Sequence, residues 1–157
     1  MRKALVVLAI VLLSSAVAIA QPRAVGLRVG NYGVDVSYEN FAGEQDFLEF
    51  ELGMDNVFNS NAFHLDGIYN FMITRPDWSA YGQWGVYAGP GASVAVWDNG
   101  EGDNVVYAGL LGNVGIEYVF DIPLQISLSL RPRMMFGDGK IRRNGLFTLG
   151  LGVRYMF

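Results

Sequence analysis

The residues that most restrict what this chain can fold into are its last fourteen, Asn144 to Phe157, reading NGLFTLGLGVRYMF. Phe147, Leu149, Leu151, Val153, Tyr155 and Phe157 alternate with Thr148, Gly150, Gly152, Arg154 and Met156, and this period of two is that of a β-strand. One face is wholly apolar, whereas the other is small or polar and carries a charge. The large side chains must therefore meet a nonpolar phase on one side only. A half-buried strand of a soluble sheet would satisfy that condition too, so the rest of the chain decides.

The same alternation returns along the sequence. Val25, Leu27 and Val29 alternate with Gly26, Arg28 and Gly30; Val34, Val36 and Tyr38 alternate with Asp35, Ser37 and Glu39. The apolar positions change from odd to even between these runs, so a tight turn or a bulge must separate them. A hairpin turn through Gly30–Gly33 is the simplest solution. Asn40 to Gln45 reads as a turn, after which Leu48, Phe50 and Leu52 oppose Phe47, Glu49 and Glu51. Beyond a loop at Asp55 to Asn61, Phe63, Leu65, Gly67, Tyr69 and Phe71 alternate with His64, Asp66, Ile68 and Asn70. Thr74 to Ser79 is a turn containing Pro76.

Three longer segments follow, Tyr81–Trp97, Val105–Phe120 and Leu124–Phe136, separated by the polar loop Asp98–Asn104 and the tight turn Asp121–Pro123. Pro90 is awkward in a strand paired on both sides and predicts a bulge or a local break. Gly137 to Arg143 reads as a charged loop before the final strand. The total is eight strands, with no stretch of helical spacing, and 20 glycines argue against long helices.

The N-terminus carries a different signal. Arg2 and Lys3 precede an apolar run from Ala4 to Leu13, then Ser14, Ser15 and the small residues Ala18 and Ala20, the pattern of a secretory signal peptide cleaved after Ala20. Cleavage would leave 137 residues with 9 basic and 15 acidic side chains, a net charge of −6. This mild acidity gives no support for nucleic-acid binding. Cysteine is absent, which excludes disulfides and thiolate metal sites. No apolar stretch after Gln21 is long enough for a spanning helix, so a membrane location would require a closed barrel, the other arrangement that satisfies every backbone group in lipid.

With the C-terminus placed on the periplasmic side, one end of the strands collects Tyr38, Phe41, Phe47, Tyr69, Phe71, Trp78, Tyr81, Trp84, Tyr118, Phe120, Tyr155 and Phe157. The opposite end holds Tyr32, Phe58, Phe63, Phe136 and Phe147. Such banding is expected where amphipathic rings sit at lipid headgroups.

The signal peptide, the alternation, the terminal Phe157 and runs such as HLDGIYNF, NVGIEYVF and PLQISLSLRPRMMF together resemble the small eight-stranded outer-membrane barrels that include OmpX, the Opa proteins and the transmembrane domain of OmpA. The resemblance covers Ala24 to Phe157. It implies an all-β fold, an eight-stranded antiparallel up-and-down transmembrane β-barrel over residues 21–157, in the cell outer membrane after removal of residues 1–20. It further implies that Phe147, Leu149, Leu151, Val153, Tyr155 and Phe157 form the signal read by the barrel-assembly machinery. The implied surroundings are outer-membrane lipid and lipopolysaccharide around a monomer with a structural or surface-interaction role. The short outer loops speak against adhesion of the Opa type.

The alternation points Arg28, Asp35, Glu49, Glu51, His64, Asp66, Glu117, Arg131, Arg133 and Arg154 inward. The interior of an eight-stranded barrel is just filled by side chains. Acids and arginines in that space should pair, because an unpaired buried charge is costly. The expected result is a plugged polar lumen, with Glu49 and Glu51 paired to Arg131 and Arg133. A narrow, porin-like ion path is the functional alternative. No metal site or cofactor is expected: Glu49 with Glu51 offers calcium ligands from one strand only, and Asp98–Asn104 lacks EF-hand spacing. The glycines at 89 and 91 precede no helix, so they are not a phosphate loop and are expected to make room for large lumen neighbours. His64 and Asp66 with Ser127 or Ser129 could form a hydrolase triad of a lipid-modifying barrel enzyme, but no motif fixes a nucleophile. The expectation is a protein without catalytic activity. The other alternative is a soluble periplasmic barrel binding a small apolar ligand, which would need an apolar interior.

Overall fold

The computed structural model describes residues 22–55, 62–98, 104–137, 139–142 and 147–157. The proposed signal peptide, Phe58 and most of the loops Asp55–Asn61 and Asp98–Asn104 lie outside the described residues. The strands are β1 (Pro22–Gly30), β2 (Gly33–Phe41), β3 (Phe47–Asp55), β4 (Ala62–Thr74), β5 (Gln83–Asp98), β6 (Asn104–Val119), β7 (Leu124–Gly137), β8 (Lys140–Arg142) and β9 (Phe147–Met156). Each pairs antiparallel with its chain neighbour from β1 to β7, and β9 closes the ring by pairing with both β7 and β1. The result is a closed eight-stranded antiparallel barrel in which β1 to β7 and β9 each have a partner on both sides.

The short β8 is not a ninth stave. It pairs with β7 beyond β9, from Met135↔Arg142 to Gly137↔Lys140, and so extends the eighth stave toward its end. The sequence reading placed these residues in a loop; Gly139, at φ 65°, supplies the tight turn that lets them pair back on β7. The Gly30–Gly33 connection is a turn and not a bulge, since Val29 faces Val34 across it. Bulges occur instead between Pro22 and Ala24 and between Met72 and Thr74.

Side chains alternate across the wall as the period of two requires. Leu27, Val36, Leu52, Leu65, Val94, Leu110 and Leu128 are exposed on the outside. In the terminal strand Phe147, Leu149, Leu151, Val153 and Tyr155, followed by Phe157, are all outward and exposed. Among the described residues, 21 polar or charged side chains are buried against nine apolar ones. A water-soluble protein has the opposite arrangement.

Rings gather at the end where Phe157 lies. Trp78 packs on Trp84 at 5.9 Å, Trp84 on Tyr118 at 4.8 Å, Tyr118 on Phe120 at 4.7 Å and Tyr155 on Phe157 at 5.6 Å between centroids. Phe47 does not join this outer band. It is fully buried, edge-on to Tyr87 and 4.0 Å from the Arg23 guanidinium. At the other end Tyr32, Phe63, Phe136 and Phe147 are exposed.

Candidate functional site

Among the described residues, chemistry-bearing side chains converge in the lumen, and they are layered along the barrel axis. At the Phe157 end Arg23 pairs with Glu117 and lies 3.1 Å from Glu39. Gln125 donates to Glu117 at 2.6 Å, and the partly buried Arg75 approaches Glu117 at 3.8 Å from the turn after β4.

Glu49 is the hub of the middle layer. It accepts from Arg131 at 2.9 Å, Ser37 at 3.0 Å and Asn70 at 3.3 Å, and it also pairs with Arg154. Arg131 extends to Glu51 as well, and its Nε donates to Asn113 at 3.1 Å. Arg154 donates through Nε to Ser37 at 2.8 Å and through Nη1 to Ser127 at 2.6 Å, and lies 3.2 Å from Glu39. Glu49 on β3 and Arg131 on β7 stand on opposite sides of the eight-membered ring. The long arginine side chain spans that width, and its planar fork serves two carboxylates at once.

In the layer toward the other end, Arg28 donates to Asp35 at 3.2 Å and to Ser129 at 3.0 Å. His64 sits among three carboxylates, with Nε2 3.1 Å from Asp35 and 3.8 Å from Asp66, and Nδ1 3.4 Å from Asp55. Arg133 pairs with Asp66 and, at 3.3 Å, with Asp55. Ser93 donates to Asp66 at 2.5 Å. Beyond this layer Ala95, Tyr107 and Met135 form a small apolar cluster with Trp97 and Val105.

All ten charged positions expected inside are there and buried. Their pairing differs from expectation at one point. Arg131 takes both Glu49 and Glu51, whereas Arg133, two residues further along β7, is a layer too far and pairs with Asp55 and Asp66 instead. The reading missed Arg23 and Glu39. Glu39 shares a face with Asp35 and Ser37 and was legible in the alternation. Arg23 was not, because it lies on the outward parity of β1 and the Pro22–Ala24 bulge turns it inward. Among the described residues, five buried arginines face six buried carboxylates, and His64 is the remaining buried group that can carry positive charge.

The structure does not bring a triad together. Ser127 and Ser129 are hydrogen-bonded to Arg154 and Arg28, and the partners of His64 are carboxylates. Among the described residues no group of three or more His, Cys, Asp or Glu side chains has the arrangement of a metal site. Glu49 and Glu51 are neutralised by arginines.

Glycines on the inner wall make the charge layers possible. A Cβ on Gly53 would overlap the Asp35 carboxylate and stand 2.7 Å from Nε2 of His64. A Cβ on Gly150 would overlap the Arg28 guanidinium. Gly89 and Gly91 are both required first by backbone, since a Cβ would strike the Tyr69 carbonyl at Gly89 and stand 2.6 Å from the Gly67 carbonyl at Gly91; at Gly91 the Ile68 and Leu111 side chains crowd the same space. Gly53→Ala is expected to destabilise the fold by about 1–3 kcal/mol in a denaturant titration. Gly67→Ala, on the outer face with Phe50 at 3.8 Å, should stay within about 0.5 kcal/mol of wild type.

Fold and site together define an inverted eight-stranded β-barrel, apolar on its outer wall and filled by a salt-bridged core. Compared with protein-family models, with curated proteins and with solved structures, the chain finds no match.

Proposed function

We propose that the chain is a small outer-membrane β-barrel protein with a plugged lumen, serving a structural or surface-interaction role in a Gram-negative envelope. One observation carries this reading: the wall presents leucine, valine and phenylalanine outward around the barrel while 21 polar or charged side chains are buried inside. In water that outer wall would be a very large exposed apolar patch; in a bilayer it is the expected surface. The ring-rich end, with Trp78, Trp84, Tyr118 and Tyr155, then lies at the periplasmic headgroups, and Phe63, Phe136 and Phe147 lie toward the outer leaflet.

The layered ion pairs favour a barrier over an open path, because every buried arginine is engaged by a carboxylate. Single-channel recordings in planar bilayers should therefore show no steady conductance. An apolar-ligand carrier is disfavoured by the same lumen, which is occupied and charged.

Heat-modifiability tests the reading directly. Protein extracted from outer-membrane fractions should migrate differently on a detergent gel with and without boiling, since barrels of this kind stay folded in the detergent until heated. A soluble periplasmic protein with no shift would overturn it.

A further inference from the structure

Two strand ladders are interrupted at the same height of the barrel, each at a proline. β4 and β5 pair at Ile68↔Gly91 and again at Phe71↔Ala88, but not between, where Tyr69 and Asn70 stand opposite Pro90 and Gly89. β6 and β7 pair at Leu111↔Arg133 and again at Val114↔Leu130, but not between, where Gly112 and Asn113 stand opposite Pro132 and Arg131. The register is unchanged across both gaps. Proline has no N–H to give, so each loses ladder bonds on one side while keeping its partner on the other, Gly112 for Pro90 and Phe147 for Pro132. The break expected at Pro90 is thus real, and Pro132 makes a second one two strands away. Outside the second gap lies a groove of about 190 Å³ lined by Leu110, Gly112, Pro132 and Met134.

Directly behind this row, on the inner wall, Asn70, Gly89, Asn113 and Arg131 stand side by side on β4, β5, β6 and β7. Asn113 Nδ2 donates to Asn70 Oδ1 at 2.8 Å, passing over Gly89, which has no side chain to block it. Arg131 Nε donates to Asn113 Oδ1 at 3.1 Å. Asn70 and Arg131 are both anchored on Glu49. Asn70, Asn113 and Arg131, each unpaired on one side, are joined to one another by side chains.

We infer that Asn70, Asn113 and Arg131 form a transverse brace that replaces the missing ladder bonds, and that the β6–β7 seam at Gly112–Pro132 is where the wall opens first when the brace is released. The continuous β5–β6 hairpin, paired without a break from Gln83↔Val119 to Asp98↔Asn104, moves as one stave between the two gaps. This inference concerns the wall itself and stands whether or not the barrel is in a membrane.

Native-state amide hydrogen exchange on the full mature barrel folded in detergent micelles tests it. Losing the Asn113 bonds to Asn70 and to the charged Arg131 changes a local opening equilibrium by at least about tenfold. Asn113→Leu should raise exchange by that factor at residues 111–114, at Leu130, Arg131 and Arg133 and around 69–71, while amides of the β1–β9 seam keep their wild-type protection. Equal acceleration everywhere would show that Asn113 contributes only to global stability and would overturn the brace. Pro132→Val, which restores an N–H and needs no lumen change, should slow exchange at the β6–β7 seam and blunt the effect of Asn113→Leu. An unchanged seam in Pro132→Val would overturn the inference even where Asn113→Leu fails to fold, as would wild-type seam amides as protected as those of Ile116 and Leu128.

Discussion

Arg154→Met is expected to be among the most damaging single substitutions in the barrel, lowering its unfolding free energy by roughly 3–5 kcal/mol. Arg154 projects from β9 into the middle layer, where it pairs with Glu49, lies 3.2 Å from Glu39 and donates to Ser37 and Ser127. Methionine keeps most of the volume and removes the charge. Glu49 would retain Arg131, but Glu39 would retain only Arg23, and two buried serine hydroxyls would lose their donor. The cost arises from these stranded groups more than from the lost attraction. Urea unfolding of protein refolded into lipid vesicles measures it. Arg75→Met, at a partly buried position whose guanidinium stands 3.8 Å from Glu117, should cost about 1 kcal/mol or less. Equal losses at the two positions would contradict a lumen held by its buried pairs.

The second large effect lies on the opposite side of the wall. Leu110 is 68% exposed in the middle of β6. If the outer wall faces hydrocarbon, Leu110→Arg places a guanidinium near the bilayer midplane and should cost about 2–4 kcal/mol. If the wall faced water, the same change at so exposed a site would stay within about 0.5 kcal/mol. Folding yield into vesicles of defined thickness, followed by the gel shift and by urea titration, separates the two. Of the two substitutions Leu110→Arg is the discriminating one: stranding a buried charge is harmful in any fold, whereas adding an external charge is harmful only where the wall meets hydrocarbon.

Much of this architecture was legible in the sequence because a strand's period is two and leaves little freedom. Eight alternating segments marked the eight staves, and the parity of each segment put Glu49, His64, Arg131 and Arg154 inside. Two kinds of feature were not legible. Bulges shift parity locally, which hid Arg23. Axial height is set by stagger between strands, which no single-strand pattern contains, so Arg133 could not be assigned to Asp55 and Asp66 in preference to Glu49 and Glu51. The inner row of Asn70, Gly89, Asn113 and Arg131 escaped notice for the same reason. Its members lie on four strands and become neighbours only through register. Phe47 read as part of an aromatic band, yet its parity already pointed it inward, against Arg23.

The hub position of Glu49 constrains how such a sequence can drift. Its two arginine partners stand 82 and 105 residues further along the chain, and each is shared with a second carboxylate. A change at any one of them strands the others, so substitutions in the lumen should be tolerated in compensating sets, or through intermediates that fold poorly. The outer wall carries no such bookkeeping: any apolar side chain of moderate size serves there. Relatives of this barrel should therefore differ freely in their outward residues while inheriting the inner charges as a block, and a search for them would do better to weigh every second residue than to weigh all positions alike.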